Sequence, residues 1–271
     1  MVKFKCKPFI KWAGGKSQIL HEINKKYPKE LGKSITKYAE PFVGGGAVLF
    51  DILNNFVLKE IYISDINSEL INTYKSIQGN VEALIYILEE CEEKYLAASE
   101  SERKEIYYDN RSRYNNLLKT KDNVLEQSAL FIFLNRTCFN GLYRVNSKGE
   151  FNVPQGNYKN PLICDKENLL HVSKKLSNVQ IECCEYFKSR EFIDNKTFVY
   201  FDPPYRPLSE TSNFTSYSNS KFEDKEQKEL AFFINEMTEK GALVLASNSD
   251  PKNFDTRDNF FDELILKEWV A

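Results

Sequence analysis

Residues 198–205 read Phe-Val-Tyr-Phe-Asp-Pro-Pro-Tyr, and no other stretch constrains the fold as strongly. Phe198–Phe201 continue an unbroken aromatic and β-branched run, the pattern of a buried central strand. Asp202-Pro203-Pro204 ends it. Two successive prolines donate no N–H and have fixed φ, so the ladder stops and the backbone carbonyls are expected to be unpaired and rigidly aimed. In open α/β sheets ligands bind just beyond the carboxyl ends of strands, which places this turn to line a site. A carboxylate and a large ring beside carbonyl oxygens suit a flat ligand bearing an amino group, such as a nucleobase. The alternative is an ordinary strand-terminating turn.

The rest of the chain supplies the sheet around that strand. Strand patterns fall at 37–43, 60–64, 179–183, 197–201 and 242–247. Helical spacing predicts helices from Ala47 to Asn54, from Ser68, and over 81–97, 102–119, 124–139, 165–176 and 223–240. From Asn140 to Asn160 three glycines, Pro154 and five asparagines break any periodicity; 142–153 reads as a hairpin turning at Ser147-Lys148-Gly149. The fold class is therefore α/β, a parallel sheet interrupted between its second and third strands by an inserted region of about a hundred residues.

Composition excludes several classes. A hydrophobic share of 42% with 28% charged residues over 271 positions is enough for a real core. No run nears the roughly 18 apolar residues of a membrane helix, and Met1–Lys7 has no secretory apolar segment. Six scattered cysteines without a Cys-x-x-Cys pair, and only His21 and His171, predict neither a zinc site nor a disulfide framework. A reduced, cytoplasmic chain without metal is expected. The net charge of −2 hides ten lysines in residues 1–37 against Glu22 and Glu30. A second basic excess lies in 135–160, with Arg136, Arg144, Lys148 and Lys159 against Glu150. Two basic patches on an acidic body suit phosphate; the plainer alternative is a solvated lysine-rich surface.

Two glycine turns flank candidate ligand contacts. Gly44-Gly45-Gly46 falls between a strand and a helix, where the backbone can approach a ligand at a helix amino terminus. Asp65, at the end of the next strand, can accept both hydroxyls of a ribose. Leu49 stands where a dinucleotide fingerprint needs its third glycine, so a single nucleoside fits better than a dinucleotide. The alternative is a tight turn only, with Asp65 as a helix cap. Trp12-Ala13-Gly14-Gly15-Lys16 is no phosphate-binding Walker loop, because Ile10 replaces its first glycine. Lys16 would instead pair with a ligand carboxylate, with Trp12 packed on the ligand.

Six segments occur in one order. They are Lys11–Lys16, Glu40–Gly46, Asp65-Ile66-Asn67, Phe139-Asn140-Gly141-Leu142-Tyr143-Arg144, Phe151-Asn152-Val153-Pro154 and Asp202-Pro203-Pro204-Tyr205. Together the chain resembles the D12-class (Dam-like) adenine-N6 DNA methyltransferases over nearly all of 7–250. Pro207–Tyr217 resembles the GATC-recognising branch.

The resemblance implies a Rossmann-like S-adenosylmethionine-dependent sheet with an inserted helical and hairpin target-recognition domain. Residues 1–70 and 165–271 would form the catalytic, cofactor-binding domain and 71–164 the recognition domain. S-adenosylmethionine would be contacted by Trp12, Gly14, Lys16, Phe42, Gly44, Gly46, Asp65, Ile66 and Asp202. Asp202, Pro203, Pro204 and Tyr205 would be catalytic, acting on an adenine flipped out of double-stranded DNA. Arg144 would read a guanine edge, Leu142 and Pro154 a thymine methyl, and Phe139 would wedge into the duplex. Lys11, Asn140 and Tyr158 would also contact DNA. A cognate restriction endonuclease acting separately is a possible partner; oligomeric state is not legible.

The alternatives are methylation of cytosine N4 or RNA, or a catalytically idle DNA-binding relative. For Phe139 and Leu142 the alternative is core packing. Two departures stand out. Asn157 occupies a position where related chains often carry arginine, and after Phe260–Leu264 only Ile265–Ala271 follows, which predicts an exposed sheet edge.

Overall fold

The computed structural model describes residues 4–206, 222–250, 252, 257–261 and 264. Pro207–Tyr217 and Ile265–Ala271 therefore lie outside the described residues. Five strands, β1 (Lys37–Glu40), β2 (Glu60–Asp65), β3 (Val179–Cys183), β4 (Thr197–Phe201) and β5 (Leu243–Ala246), form one sheet of order β3-β2-β1-β4-β5. β1 pairs in parallel with both β2 and β4, and β4 with β5. The strand order reverses between β1 and β4, which makes that pair the topological switch point of the sheet. All five residues of β4 are buried, as its apolar run requires.

The helices are α1 (Leu20–Asn24), α2 (Ala47–Asn55), α3 (Ser68–Gly79), α4 (Val81–Ala97), α5 (Glu100–Thr120), α6 (Val124–Thr137), α7 (Lys166–Leu176) and α8 (Asp224–Glu239). The insertion between β2 and β3 stands as expected. Local chemistry explains the shifted boundaries. β1 stops at Glu40 because Pro41 cannot donate to the ladder. α5 begins earlier than periodicity suggests because Ser99 and Glu102 form a reciprocal capping box. α6 ends at Thr137, and Phe139–Gly141 form a separate turn in which Asn140 has φ +54°. Among the described residues no helix is long and apolar enough to cross a membrane.

Compactness divides the described chain into two units, one from residues 1–22, 44–56 and 67–183, the other from 23–43, 57–66 and 184–271. These boundaries differ from the division by role at 70/71 and 164/165.

In the first unit α6 is the hub. Gln127–Asn135 are buried on every side, because α3, α4 and α5 all pack on this helix. The hairpin is sewn to α5. Asn115 donates to the Phe151 carbonyl (3.0 Å) and accepts from its N–H (2.8 Å), while the Tyr107 hydroxyl donates to the Val153 carbonyl at 2.8 Å. Each such part-buried bond, if broken on one side, costs about 1–3 kcal/mol. The Val145–Phe151 bridge and the Asn146–Gly149 turn match the expected hairpin.

In the second unit α8 packs on one face of the sheet. Leu230, Phe233, Ile234 and Met237 meet Ala39, Tyr62, Val199 and Phe201 in one core.

Candidate active site

The second unit presents a row of candidate side chains at the carboxyl end of its strands. Glu40 pairs with Ile63 and Ala39 with Val199, and the Val43 N–H still reaches the Ser64 carbonyl at 3.0 Å. Phe42, Asp65 and Asp202 therefore leave three neighbouring strands at the same end of the sheet and at nearly the same level, at the switch point. Phe42, Asp65 and Asp202 are half-buried, whereas Ile66 beside Asp65 is 43% exposed and Tyr205 is 41% exposed. A half-buried carboxylate next to an exposed aliphatic face fits a nucleoside, with hydroxyls on Asp65 and a ring on Ile66.

Asp65 is not a helix cap. The cap of α3 is Asn67, whose Oδ1 accepts from the Leu70 N–H at 2.8 Å. The main chain of Asp65 is held instead, its carbonyl accepting from the Cys184 N–H at 3.2 Å.

The Asp202–Tyr205 turn departs from expectation in one respect. The Pro204 carbonyl is not unpaired: Gln227 Nε2 donates to it at 2.9 Å. No described residue donates to the Pro203 carbonyl. Below the turn the Tyr200 hydroxyl shares a hydrogen bond with Ser247 (2.7 Å) and is held well above its ordinary pKa, by burial first and then by the Asp202 charge. It stays protonated at any working pH and serves as a fixed dipole.

The first unit holds the two glycine turns. Gly44 and Gly46 take left-handed φ values of +48° and +73°. A Cβ on Gly44 would stand 2.9 Å from Trp12 Cδ1, and one on Gly46 would collide with the Tyr74 hydroxyl and the Phe50 ring. Packing by itself requires glycine at both positions, beside the close approach of a ligand expected from sequence. Tyr74 donates to the Gly44 carbonyl at 3.1 Å and fixes the loop that opens α2. Trp12 lies along that loop and stacks on Tyr143 at 5.7 Å. Lys16 is buried, with Nζ donating to the Gly14 carbonyl at 2.6 Å. Its charge rigidifies the Trp12–Lys16 turn.

The same unit carries the residues expected to contact nucleic acid. Phe139 is 51% exposed at the tip of its turn, which rules out core packing for it; Leu142 is half-buried. Asn140 and Pro154 are exposed. Lys11 and Tyr158 meet, Nζ lying 3.2 Å from the hydroxyl and 4.5 Å from the ring centre. Buried Asn135 ties this group together: it bonds both the N–H and the carbonyl of Lys11 at 2.8 Å and the Gly141 carbonyl at 3.0 Å. Exposed Arg144 is anchored through Nε to Asn152 Oδ1 at 2.7 Å.

Sequence reasoning assigned no role to Asn135, Tyr143, Asn152, Gln227 or Asn248. Asn152 and Tyr143 stood inside the quoted segments, but their partners become visible only in three dimensions.

The comparisons with known proteins agree with this geometry. Residues 12–270 match the family described as D12 class N6 adenine-specific DNA methyltransferase. Over 266 residues the chain is 48% identical to the type II methyltransferase M.MjaIII of Methanocaldococcus jannaschii, covering 98% of this chain and 91% of that protein. It is 38% identical to the DNA adenine methylase of Haemophilus influenzae and 37% identical to that of Escherichia coli. Those matches cover 92% and 91% of this chain and 82% of each relative. The cytosine-N4 and RNA alternatives thereby lose to adenine. With a family match over residues 12–270 and relatives 37–48% identical over more than nine-tenths of its length, the chain belongs to the D12 class of N6 adenine-specific DNA methyltransferases.

Proposed function

We propose that this chain transfers a methyl group from S-adenosylmethionine to adenine N6 in double-stranded DNA, within GATC, on a base flipped out of the helix. The observation that carries the reading is Asp202-Pro203-Pro204-Tyr205 leaving β4 at the switch point, beside Phe42 and Asp65. Membership among type II methyltransferase relatives supports a cytoplasmic role as the methylase of a restriction-modification system, its endonuclease acting separately. We assign residues 71–164 to target recognition and the remainder to catalysis and cofactor binding.

When bound, S-adenosylmethionine supplies an electrophilic methyl on a sulfonium. Asp65 holds the ribose hydroxyls, Phe42 and Ile66 cover the adenosine, and Trp12, Gly14, Lys16, Gly44 and Gly46 shape the remaining contacts. Tyr205 stacks on the extruded target adenine. The N6 lone pair of adenine is delocalised into its ring and is a poor nucleophile. Hydrogen bonds from the amino group to Asp202 and the Pro203 carbonyl pull N6 toward tetrahedral geometry and free that pair. The contribution is positioning and fixed electrostatics, which need no strong base.

The duplex side rests on Arg144, with Leu142 and Pro154 against thymine methyls, Phe139 as the wedge, and Lys11, Asn140 and Tyr158 as further contacts. Asn152 takes Nε at 2.7 Å and one N–H of Nη2 at 3.5 Å, which leaves Nη1 and the other N–H of Nη2 for guanine O6 and N7. Arg144→Ala is then expected to lose about 1–3 kcal/mol of discrimination at one position of GATC, with the salt dependence of affinity nearly unchanged. Methylation of duplexes carrying each of the four bases at each position, at two salt concentrations, checks this. Uniform weakening with a salt slope reduced by ~1 would make Arg144 a phosphate contact and remove the structural support for GATC.

A further inference from the structure

The Asp202–Tyr205 turn is held in part from outside. Two of its residues, Pro203 and Pro204, contribute no N–H donor with which to close it. Side chains from two other elements supply the missing bonds. Gln227, in the first turn of α8 and 2% exposed, donates Nε2 to the Pro204 carbonyl at 2.9 Å. Its Oε1 accepts from Asn248 Nδ2 at 2.9 Å. Asn248, just beyond β5, accepts through Oδ1 from the Arg206 N–H at 3.3 Å and the Ser249 N–H at 2.9 Å. The Ser249 hydroxyl donates to the Arg206 carbonyl at 2.8 Å.

The direction of every bond in this relay is fixed. A proline carbonyl only accepts, so Gln227 must present its nitrogen there and its oxygen to Asn248. Asn248 must then present its oxygen to Arg206. Turning either amide over would pair like with like at both of its ends. The guanidinium of Arg206 is held as well, by Asp224 (2.7 and 3.2 Å), by Asp258 (2.6 Å) and over the Phe260 ring at 4.3 Å. The bonds converge on the residues either side of Tyr205, not on the strands.

We infer that Gln227 and Asn248 are positioning residues for methyl transfer, which hold the backbone on both sides of Tyr205 so that its exposed ring meets the flipped base as a fixed platform. This deepens the proposed function and rests on its assignment of Tyr205 as the stacking ring. Neither amide touches the substrate. Each acts by removing backbone freedom that would otherwise be lost at the moment of reaction.

The test is a double-mutant cycle read by single-turnover methylation of a GATC duplex, with S-adenosylmethionine and duplex dissociation constants measured alongside. Gln227→Leu keeps the volume and loses both bonds. It is expected to slow the single-turnover step by about 10- to 100-fold, with both dissociation constants changed by no more than about twofold. Asn248→Ala, in a less buried position, gives the same pattern where Gln227→Leu folds poorly. In a Tyr205→Ala background either substitution should add no more than about a twofold further loss, because its effect passes through that ring. An undiminished rate in both variants overturns the inference. So does the same loss with and without Tyr205, the signature of a general structural role. A Tyr205→Ala chain of full activity would instead remove the stacking assignment itself, which separates failure of the function from failure of the relay.

Discussion

Asp202→Ala is expected to abolish methylation while leaving affinity for duplex DNA within a few-fold. Loss of one group that stabilises charge in the transition state costs about 10²–10³-fold, and here the same carboxylate also has to reshape the amino group. Duplex affinity comes mainly from phosphate contacts, whereas the partner proposed for Asp202 is the extruded base. Asp202→Asn separates the two parts of the role. The amide keeps an acceptor for the N6 hydrogen but removes the charge, so its activity should fall between wild type and the alanine variant. Single-turnover methylation with excess enzyme, paired with a gel-shift measurement of binding, checks both. Full activity of Asp202→Ala would falsify the catalytic assignment; equal loss of rate and binding would place Asp202 in the DNA contact surface.

What could be read from sequence was whatever a local pattern fixes. The run Thr197–Phe201 marked β4 to the residue, because a strand buried throughout reads as an unbroken β-branched and aromatic sequence. β3 and α4 were equally legible from periodicity. Boundaries moved where single side chains compete for the backbone, as with Ser99 and Glu102 at α5 or Pro41 after β1. The turns that carry candidate site residues were legible where the motif itself is a turn. Asp202–Tyr205 and Phe139–Arg144 could be placed because prolines and glycines dictate their backbone. The supports of those turns could not. Gln227 is 23 residues beyond Pro204, Asn248 is 42 beyond Arg206, and Asn135 is 124 beyond Lys11. Nothing in the spacing of polar residues along a helix tells which one faces a carbonyl brought near by the fold. The glycines at 44 and 46 show the converse. Their conformations were foreseeable, yet the packing that requires them, on the rings of Trp12 and Phe50 and the hydroxyl of Tyr74, was not.

Asp65→Ala is expected to weaken S-adenosylmethionine binding by about 1.5–3 kcal/mol, the worth of hydrogen bonds to a charged group. The structure separates this substitution from the helix cap. α3 takes its cap from Asn67, so removing the Asp65 carboxylate does not unravel the helix that follows. The main-chain bond from Cys184 to the Asp65 carbonyl survives any change of side chain. Asn67→Ala is the matched control: it should cost about 1 kcal/mol of stability through loss of the cap and leave cofactor affinity nearly unaltered. Asp65→Asn retains an acceptor oxygen and should recover part of the loss. Calorimetric titration of S-adenosylmethionine into each variant, with thermal unfolding alongside, distinguishes the two residues. If Asp65→Ala binds the cofactor as tightly as the parent chain, Asp65 does not hold the ribose, and the hydroxyls must find their acceptor elsewhere at the carboxyl edge of the sheet.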